Sequence, residues 1–454
     1  KYFASSSEPS IFDKIASKPF TSSSSEEDST FLRMANKDPI AVADEVRDLW
    51  ELTVQEPGIP PRLTMPGVVS VEDLSDPVKE TITVALGPEE AKKIVPLTCN
   101  DVTQDERGLR RLIDEGCFRA AVNLTSRLLT MYGQGYGRLG QPAKHTPHSL
   151  QLWFTRFTLL VKLGLFEQCQ MESDAFGELD RPDIFYEFYP EMYSNRRGSM
   201  ASFSFRILLA EFPMYLGAPN IALNRLTVIL NICKKIEKLM DTTGAGIQTV
   251  KFWRRRRVRA QHSIINCALV LKNYNLAKHF IESIIEEKCW SNEELGSLNS
   301  VAGRIYLQCG DILAAEKKLA SMKQLGLTSK LFQVQECIDK GLIYVAQNNF
   351  EEAVKFFQKA ATLEPGNTMI ANNIAVCFLY LGRMKDAIAT YENTMPADLK
   401  QSINEHFFIN LCTLYELESN FSRPKKLIQL QKLAKEKRDI CMSIEVCLKL
   451  NSSN

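Results

Sequence analysis

A set of intervals that recurs along the second half of the chain limits its fold more than any other feature. Gly341 and Tyr344 are followed by Ala353, Phe357, Ala360 and Pro365. Advancing 34 residues, the pattern returns in register as Ala375, Phe378, Ala387 and Tyr391. Stepping back 38 residues gives Gly303, Tyr306, Ala315 and Leu319, and a further 38 gives a weaker copy, Ile265, Ala268, Ala277 and Ile281. Each unit reads as a hairpin of two helices. Small residues at 341 and 353 let the backbones approach, while Tyr344 and Phe357 fill the space beside them. Pro365 cannot continue the second helix and ends it. The four extra residues of the longer units are expected in the turns between hairpins.

These spacings match the tetratricopeptide repeat, in which a helical hairpin buries its second face against the next unit. The expected fold is therefore all-α, a tetratricopeptide-repeat α-solenoid with an extended, mostly irregular N-terminal arm. Fainter units, each a turn followed by a small residue, begin near Gly116, Gly164 and Gly217. Residues 251–400 hold the regular repeats and 101–250 divergent ones. From 401 to 454 a degenerate unit, polar at its end, suits a cap.

Residues 1–100 differ in kind: serine clusters, an acidic Glu26-Glu27-Asp28 and many prolines leave only a brief helical stripe around Ile40–Leu52. They read as an arm partly ordered by packing, or as plain disorder. Phe3, Ile11, Phe12, Ile15 and Trp50 are the apolar points by which such an arm would hold on. The chain starts at Lys1 without an initiator Met, and is read as part of a longer one.

Composition narrows the function. With 55 basic and 54 acidic residues the net charge is +1, which disfavours a whole-protein field for nucleic acid. No apolar run approaches the roughly 18–20 residues of a membrane span. The 12 cysteines are scattered without a C-x-x-C pair, mostly inside apolar helical stretches, as reduced core cysteines of a cytosolic protein are.

Motifs that suggest chemistry fail on context. Gly135-Tyr136-Gly137-Arg138-Leu139-Gly140 spells the dinucleotide fingerprint, but a helix rather than a strand precedes it, so a loop is the better reading. His145 and His148 flank Pro147 and lack an acidic or cysteine cluster, and five histidines in all leave little for acid–base work. No catalytic, cofactor or metal site is assigned, and the chain is read as a non-enzyme.

Two segments are candidates for partner contact. Arg254, Arg255, Arg256 and Arg257 sit on one helix at 100° steps and cannot all face one ligand. They form either a solvated face paired with carboxylates or a docking site for an acidic partner or anionic lipid. The insertion 181–200, with Tyr186, Tyr189, Tyr193, Arg196 and Arg197, either packs on its own solenoid or anchors a partner. Where some tetratricopeptide domains clamp a C-terminal carboxylate with Lys and Asn, this chain has Ile338 and Leu342, and Ser300 and Arg304. That clamp is missing.

Beyond the repeats, Arg181-Pro182-Asp183, Tyr186-Glu187, Tyr189-Pro190, Tyr193 and Arg196-Arg197-Gly198-Ser199-Met200 stand out, as do Asn372-Asn373-Ile374-Ala375-Val376-Cys377 and Tyr415-Glu416-Leu417-Glu418-Ser419. In these the chain resembles the tetratricopeptide subunit, the twelfth, of the metazoan transport protein particle (TRAPP) complex. The resemblance implies a non-catalytic scaffold in a tethering and Rab guanine-nucleotide-exchange assembly of ER-to-Golgi traffic and autophagy, joining large peripheral subunits. It implies protein partners, no nucleic acid, and a cytoplasmic place on early secretory membranes reached only through the complex. The alternative is a peptide-binding adaptor recruiting clients singly.

Overall fold

The computed structural model describes residues 40, 42–50, 63, 65–69, 72–92, 97–142, 144–244, 246–287, 289–394, 405–419, 421–435 and 444–450. Phe3, Ile11, Phe12 and Ile15 lie outside them. Every regular element among the described residues is helical, and one isolated antiparallel bridge pairs Phe185 with Ser199. In chain order the α-helices begin with α1 (Asp44–Arg47), α2 (Pro77–Leu86), α3 (Pro88–Lys92), α4 (Glu106–Asp114), α5 (Phe118–Met131), α6 (Pro147–Lys162) and α7 (Phe166–Ser173). Next come α8 (Phe203–Tyr215), α9 (Pro219–Thr242), α10 (Ile247–Val270), α11 (Tyr274–Ile285), α12 (Asn292–Gln308), α13 (Ile312–Gln324) and α14 (Lys330–Ala346). The series closes with α15 (Phe350–Leu363), α16 (Thr368–Tyr380), α17 (Met384–Thr394), α18 (Glu405–Glu418), α19 (Arg423–Lys435) and α20 (Ile444–Leu448). The chain forms two compact units: the first takes its described residues from 32–74 and 97–284, the second from 75–96 and 285–454.

The second unit shows why the repeat intervals exist. A Cβ added to Gly341 on α14 would stand 2.5 Å from Phe357 Cε1 on α15, so only glycine admits that ring. One hairpin earlier, a Cβ on Gly303 would meet Leu319 Cδ2 at 3.1 Å. Ala315, Ala353, Phe357, Ala360, Ala375, Phe378, Ala387 and Tyr391 are all buried, and Tyr306 and Tyr344 half-buried. The Tyr391 hydroxyl donates to Asn372 Oδ1 at 2.7 Å, tying α17 to α16. Pro365 lies two residues past the end of α15, in an exposed turn.

The turns of the three hairpins α12–α13, α14–α15 and α16–α17 have three residues each, the second left-handed: Gly310 (φ 82°), Asn348 (φ 58°) and Gly382 (φ 74°). The extra four residues of the longer unit are not in the turns between hairpins, as the spacing suggested. They lengthen the first helix, for α14 has 17 residues and α16 has 13. Four residues are close to one helical turn of 3.6, so this insertion keeps the buried face in register.

Besides α1, two helices, α2 and α3, lie within the stretch read as arm. Asp76 caps α2 by accepting from the Val78 amide at 2.9 Å, and Pro77 takes the first helical position, where it needs no amide donor. Val78, Ile82 and Ala91 enter the same core as Leu430, Leu433, Ile444 and Leu448, with α2 against α19 and α20. Two apolar positions at i and i+4, Val78 and Ile82, are too few to mark or hold a helix alone.

The first unit is centred on α6. Trp153 and Phe157 pack edge-on against Phe176, and Trp153 Nε1 donates to Gln134 Oε1 at 2.9 Å. Arg156, fully buried, donates from Nε and Nη2 to the two oxygens of Glu172 at 2.5 and 2.8 Å. Its Nη1 reaches Ser126 Oγ at 2.6 Å and the Val122 carbonyl at 3.1 Å.

Stretches of the arm are paired to this unit through backbone groups. The Met65 amide donates to the Gln141 carbonyl at 2.7 Å, and the Gly140 amide donates back to Met65 at 3.2 Å. The Val69 amide reaches Glu172 Oε1 at 3.2 Å, and Leu74 reaches Asn123 Oδ1 at 2.9 Å. The G-x-G-x-x-G run is thus a loop whose last glycine pairs with the arm.

Two substitutions test this packing. Ala353→Leu overfills the α14–α15 contact and should cost about 1–3 kcal/mol in urea unfolding. Unchanged stability would remove position 353 from the helix contact. Glu172→Ala strands the Arg156 charge in the core and should cost about 3–5 kcal/mol by the same measurement, with the loss confined to the first unit's transition.

Candidate interaction surface

Three pieces far apart in sequence meet around one turn of the arm. The first is α1 with its continuation Asp48-Leu49-Trp50. The second is the insertion 181–200, which folds back on itself: the Tyr186 amide donates to the Gly198 carbonyl at 3.0 Å and the Met200 amide to Ile184 at 2.9 Å. Short 3-10 turns, Pro182–Ile184 and Tyr186–Phe188, shape its first limb. The third is the arginine run of α10.

Asp48 is the hub. Its carbonyl accepts the Ser199 amide at 2.8 Å, and its carboxylate takes Arg196 Nη2 at 2.8 Å and the Tyr186 hydroxyl at 3.4 Å. A Cβ on Gly198 would stand 2.3 Å from the Asp48 carbonyl oxygen, so the approach requires glycine there, which also holds φ +104°. Arg196 lies over the Tyr186 ring at 4.2 Å and also reaches Asp44 at 3.4 Å. Tyr186 is buried, and burial pushes its hydroxyl pKa up, so it remains a donor.

Two arginines line the other side. Arg206 on α8 is buried, with Nη1 on Asp180 at 2.8 Å, Nη2 on Ser199 Oγ at 2.9 Å, and its guanidinium 4.4 Å from the Trp50 ring centre. Burial lowers its pKa to about 10, which leaves it charged at neutral pH. Arg256 donates from Nη1 to the Arg47 carbonyl at 2.8 Å and stacks among Phe203, Phe252 and Trp253 at 5.0, 4.4 and 4.6 Å. Desolvation lowers it to about 9.

The arginines of the run thus point different ways, as 100° steps require. Arg254 and Arg257 share Glu237 of α9 at 3.0 and 2.6 Å, and Arg255 is half-buried. Within the insertion, Tyr193 stands edge-on to Tyr186 at 5.1 Å. Tyr189 receives the His145 amide on its hydroxyl at 3.0 Å, and Arg197 is exposed. His145 lies 3.5 Å from Asp183, and His148 Nδ1 is 3.0 Å from Glu106. Among the described residues no group of three or more His, Cys, Asp or Glu could hold a metal ion.

The repeat positions that carry a carboxylate clamp elsewhere serve packing here. Asp339 on α14 accepts from Ser300 at 2.7 Å and Arg304 at 2.9 Å, both on α12. Sequence reasoning gave no role to Gly198 or Arg206 and missed Asp48 and Glu237. The signal available for Asp48 was the brief helical stripe in the arm around Ile40–Leu52.

Comparison with known proteins follows the same lines. The family model described as tetratricopeptide repeat matches residues 344–403. Trafficking protein particle complex subunit 12 of Mus musculus is 41% identical over 404 residues, covering 86% of this chain and 50% of that protein. The Homo sapiens protein of the same name is also 41% identical over 404 residues, covering 86% of this chain and 54% of its own length. The chain spans about half the length of the curated relatives it matches. A solved tetratricopeptide repeat protein from Parabacteroides merdae overlays with TM-score 0.34 and 12% identity, covering 54% of this chain and 98% of that one. At that score the overlay carries no conclusion.

One buried group on α10 gives a pH test. Burial, helped by the charge of Arg259, lowers His262 from 6.5 to about 3. The unfolded chain therefore binds that proton first, and stability present above pH 6.5 is lost as pH falls toward 3, by roughly 1.4 kcal/mol per unit. His262→Asn should narrow the Tm gap between pH 7 and about pH 4.5. An unchanged gap would place the acid sensitivity in other groups.

The chain carries tetratricopeptide repeats in an all-α fold and resembles, along 86% of its length, subunit 12 of the trafficking protein particle complex.

Proposed function

We propose that the chain is a non-catalytic scaffold subunit of a vesicle-tethering, Rab guanine-nucleotide-exchange complex acting in ER-to-Golgi traffic and autophagy, where it joins large peripheral subunits. The observation that carries this reading is the 41% identity to two proteins named as subunit 12 of the trafficking protein particle complex. The side-chain chemistry is in keeping with it. The polar clusters at Arg156–Glu172, Asp339 and Asp48 are spent on holding helices and arm together. Stacked helical hairpins offer the broad surfaces that stable subunit contacts need.

The partners proposed are protein subunits and not nucleic acid. The place proposed is the cytoplasmic side of early secretory membranes, at the ER–Golgi intermediate compartment and Golgi, with membrane contact only through the complex. No helix among the described residues is long and apolar enough to cross a membrane. Arg197, exposed in the insertion, and the half-buried Arg255 of the arginine helix are proposed partner contacts. A second reading, a peptide adaptor that recruits clients one at a time, draws on the short peptide-like turn held at Asp48.

The test is quantitative mass spectrometry of what copurifies with the tagged chain from cytosol at moderate salt. Large trafficking-complex subunits recovered near one to one are expected. Substoichiometric, salt-labile clients would sink the scaffold reading in favour of the adaptor.

A further inference from the structure

Trp50 sits in the first unit's core, and the segment Asp44–Trp50 is gripped by polar groups of α8, α10 and the insertion. It is a single helical turn of four residues, capped by Asp48 in the helical region and continued by Leu49 and Trp50 outside any regular element. Its backbone is read at two carbonyls, Arg47 by Arg256 at 2.8 Å and Asp48 by the Ser199 amide at 2.8 Å. Its side chains are read at two points, the Asp48 carboxylate by Arg196 at 2.8 Å and the Trp50 ring by Arg206 at 4.4 Å. Trp50 keeps 7% of its surface exposed.

The receptor side is fixed by its own neighbours. Asp180 and Ser199 hold Arg206, and Arg196 rests on Tyr186. Only the absence of a side chain at Gly198 lets the Asp48 carbonyl in. The fit of the occupant is incomplete: Trp50 Nε1 and the buried Arg206 Nε both lack a hydrogen-bond partner. Unpaired buried donors cost free energy, so the resident turn is held less tightly than a fully paired one would be.

We propose that this surface is a binding site for a short acidic peptide of a partner protein carrying Asp two residues before Trp, and that Asp44–Trp50 is its displaceable resident. The site selects the carboxylate through Arg196 and Tyr186, and the indole through the Arg206 face. Tethering gives the resident segment an effective concentration on the order of millimolar, so an incoming peptide must outcompete it. The proposal does not depend on membership of any complex.

The experiment titrates a fluorescent peptide of residues 42–52 into the full chain and into its Asp48→Asn/Trp50→Ala variant, reading anisotropy. Saturable binding is expected for both, at least ~10-fold tighter for the variant because its resident is weakened. A peptide with Trp replaced by Ala should lose binding to both. No saturable binding to a variant that keeps its helical circular dichroism would overturn the proposal, as would binding indifferent to the peptide's Trp. Should that variant fail to fold, Trp-dependent saturable binding to the unaltered chain at millimolar peptide remains the expected result, and its absence overturns the proposal. Concentration-dependent dimers that exchange the segment between copies would make a second copy the occupant, and would overturn a partner peptide.

Discussion

A helical hairpin of this kind leaves one apolar face uncovered, and the architecture of each unit follows from the need to cover it. Within a hairpin the helices close only where a side chain is missing or minimal, as at Gly341 beneath the Phe357 ring. That close approach sets the angle and depth at which the next hairpin meets the first. Aromatic pairs extend the contact from one hairpin to the next: Phe350 on α15 stacks flat on Tyr380 of α16 at 4.6 Å. Because each layer needs another, the last one needs a cover that is not a repeat. In the second unit α2 lies in the core with α19 and α20, so a segment from early in the chain contributes to closing the array.

The first unit meets the same need with less regular means. Its core is dominated by aromatic rings around α6 and contains an arginine–glutamate pair without solvent contact. Removing a buried charge's partner is far more costly than never having buried the pair, so such a cluster fixes one arrangement of α5, α6 and α7. The same glutamate also receives the arm's Val69 amide. Packing of the arm is thereby linked to the most tightly buried charge of the unit.

The arginine run illustrates how helical geometry divides a charge cluster. Steps of 100° send Arg254 and Arg257 to the same side, where one carboxylate, Glu237, serves both. Arg256 is sent to the other side, among three rings and against a backbone carbonyl. A block of like charge in the sequence is thus resolved into an ion-pair triad and a cation–π contact, with no shared ligand.

The sequence by itself determined the all-helical fold, the hairpin units from 303 to 391 and the residues at which their helices touch. It could do so because those contacts lie between residues a fixed, short interval apart, and the geometry of the helix imposes the interval. It misplaced the four extra residues of the longer units, since helix and turn insertions look alike until the helix ends are seen. Only the tertiary structure decided that Asp48 meets Tyr186, 138 positions away, and that the Arg47 carbonyl meets Arg256, 209 away. It alone decided that α2 completes a core formed with residues beyond 330. No local period encodes such meetings. They arise because exposed apolar faces and unpaired charges are covered by whatever segment of matching shape and charge reaches them, and the sequence order does not say which segment that is.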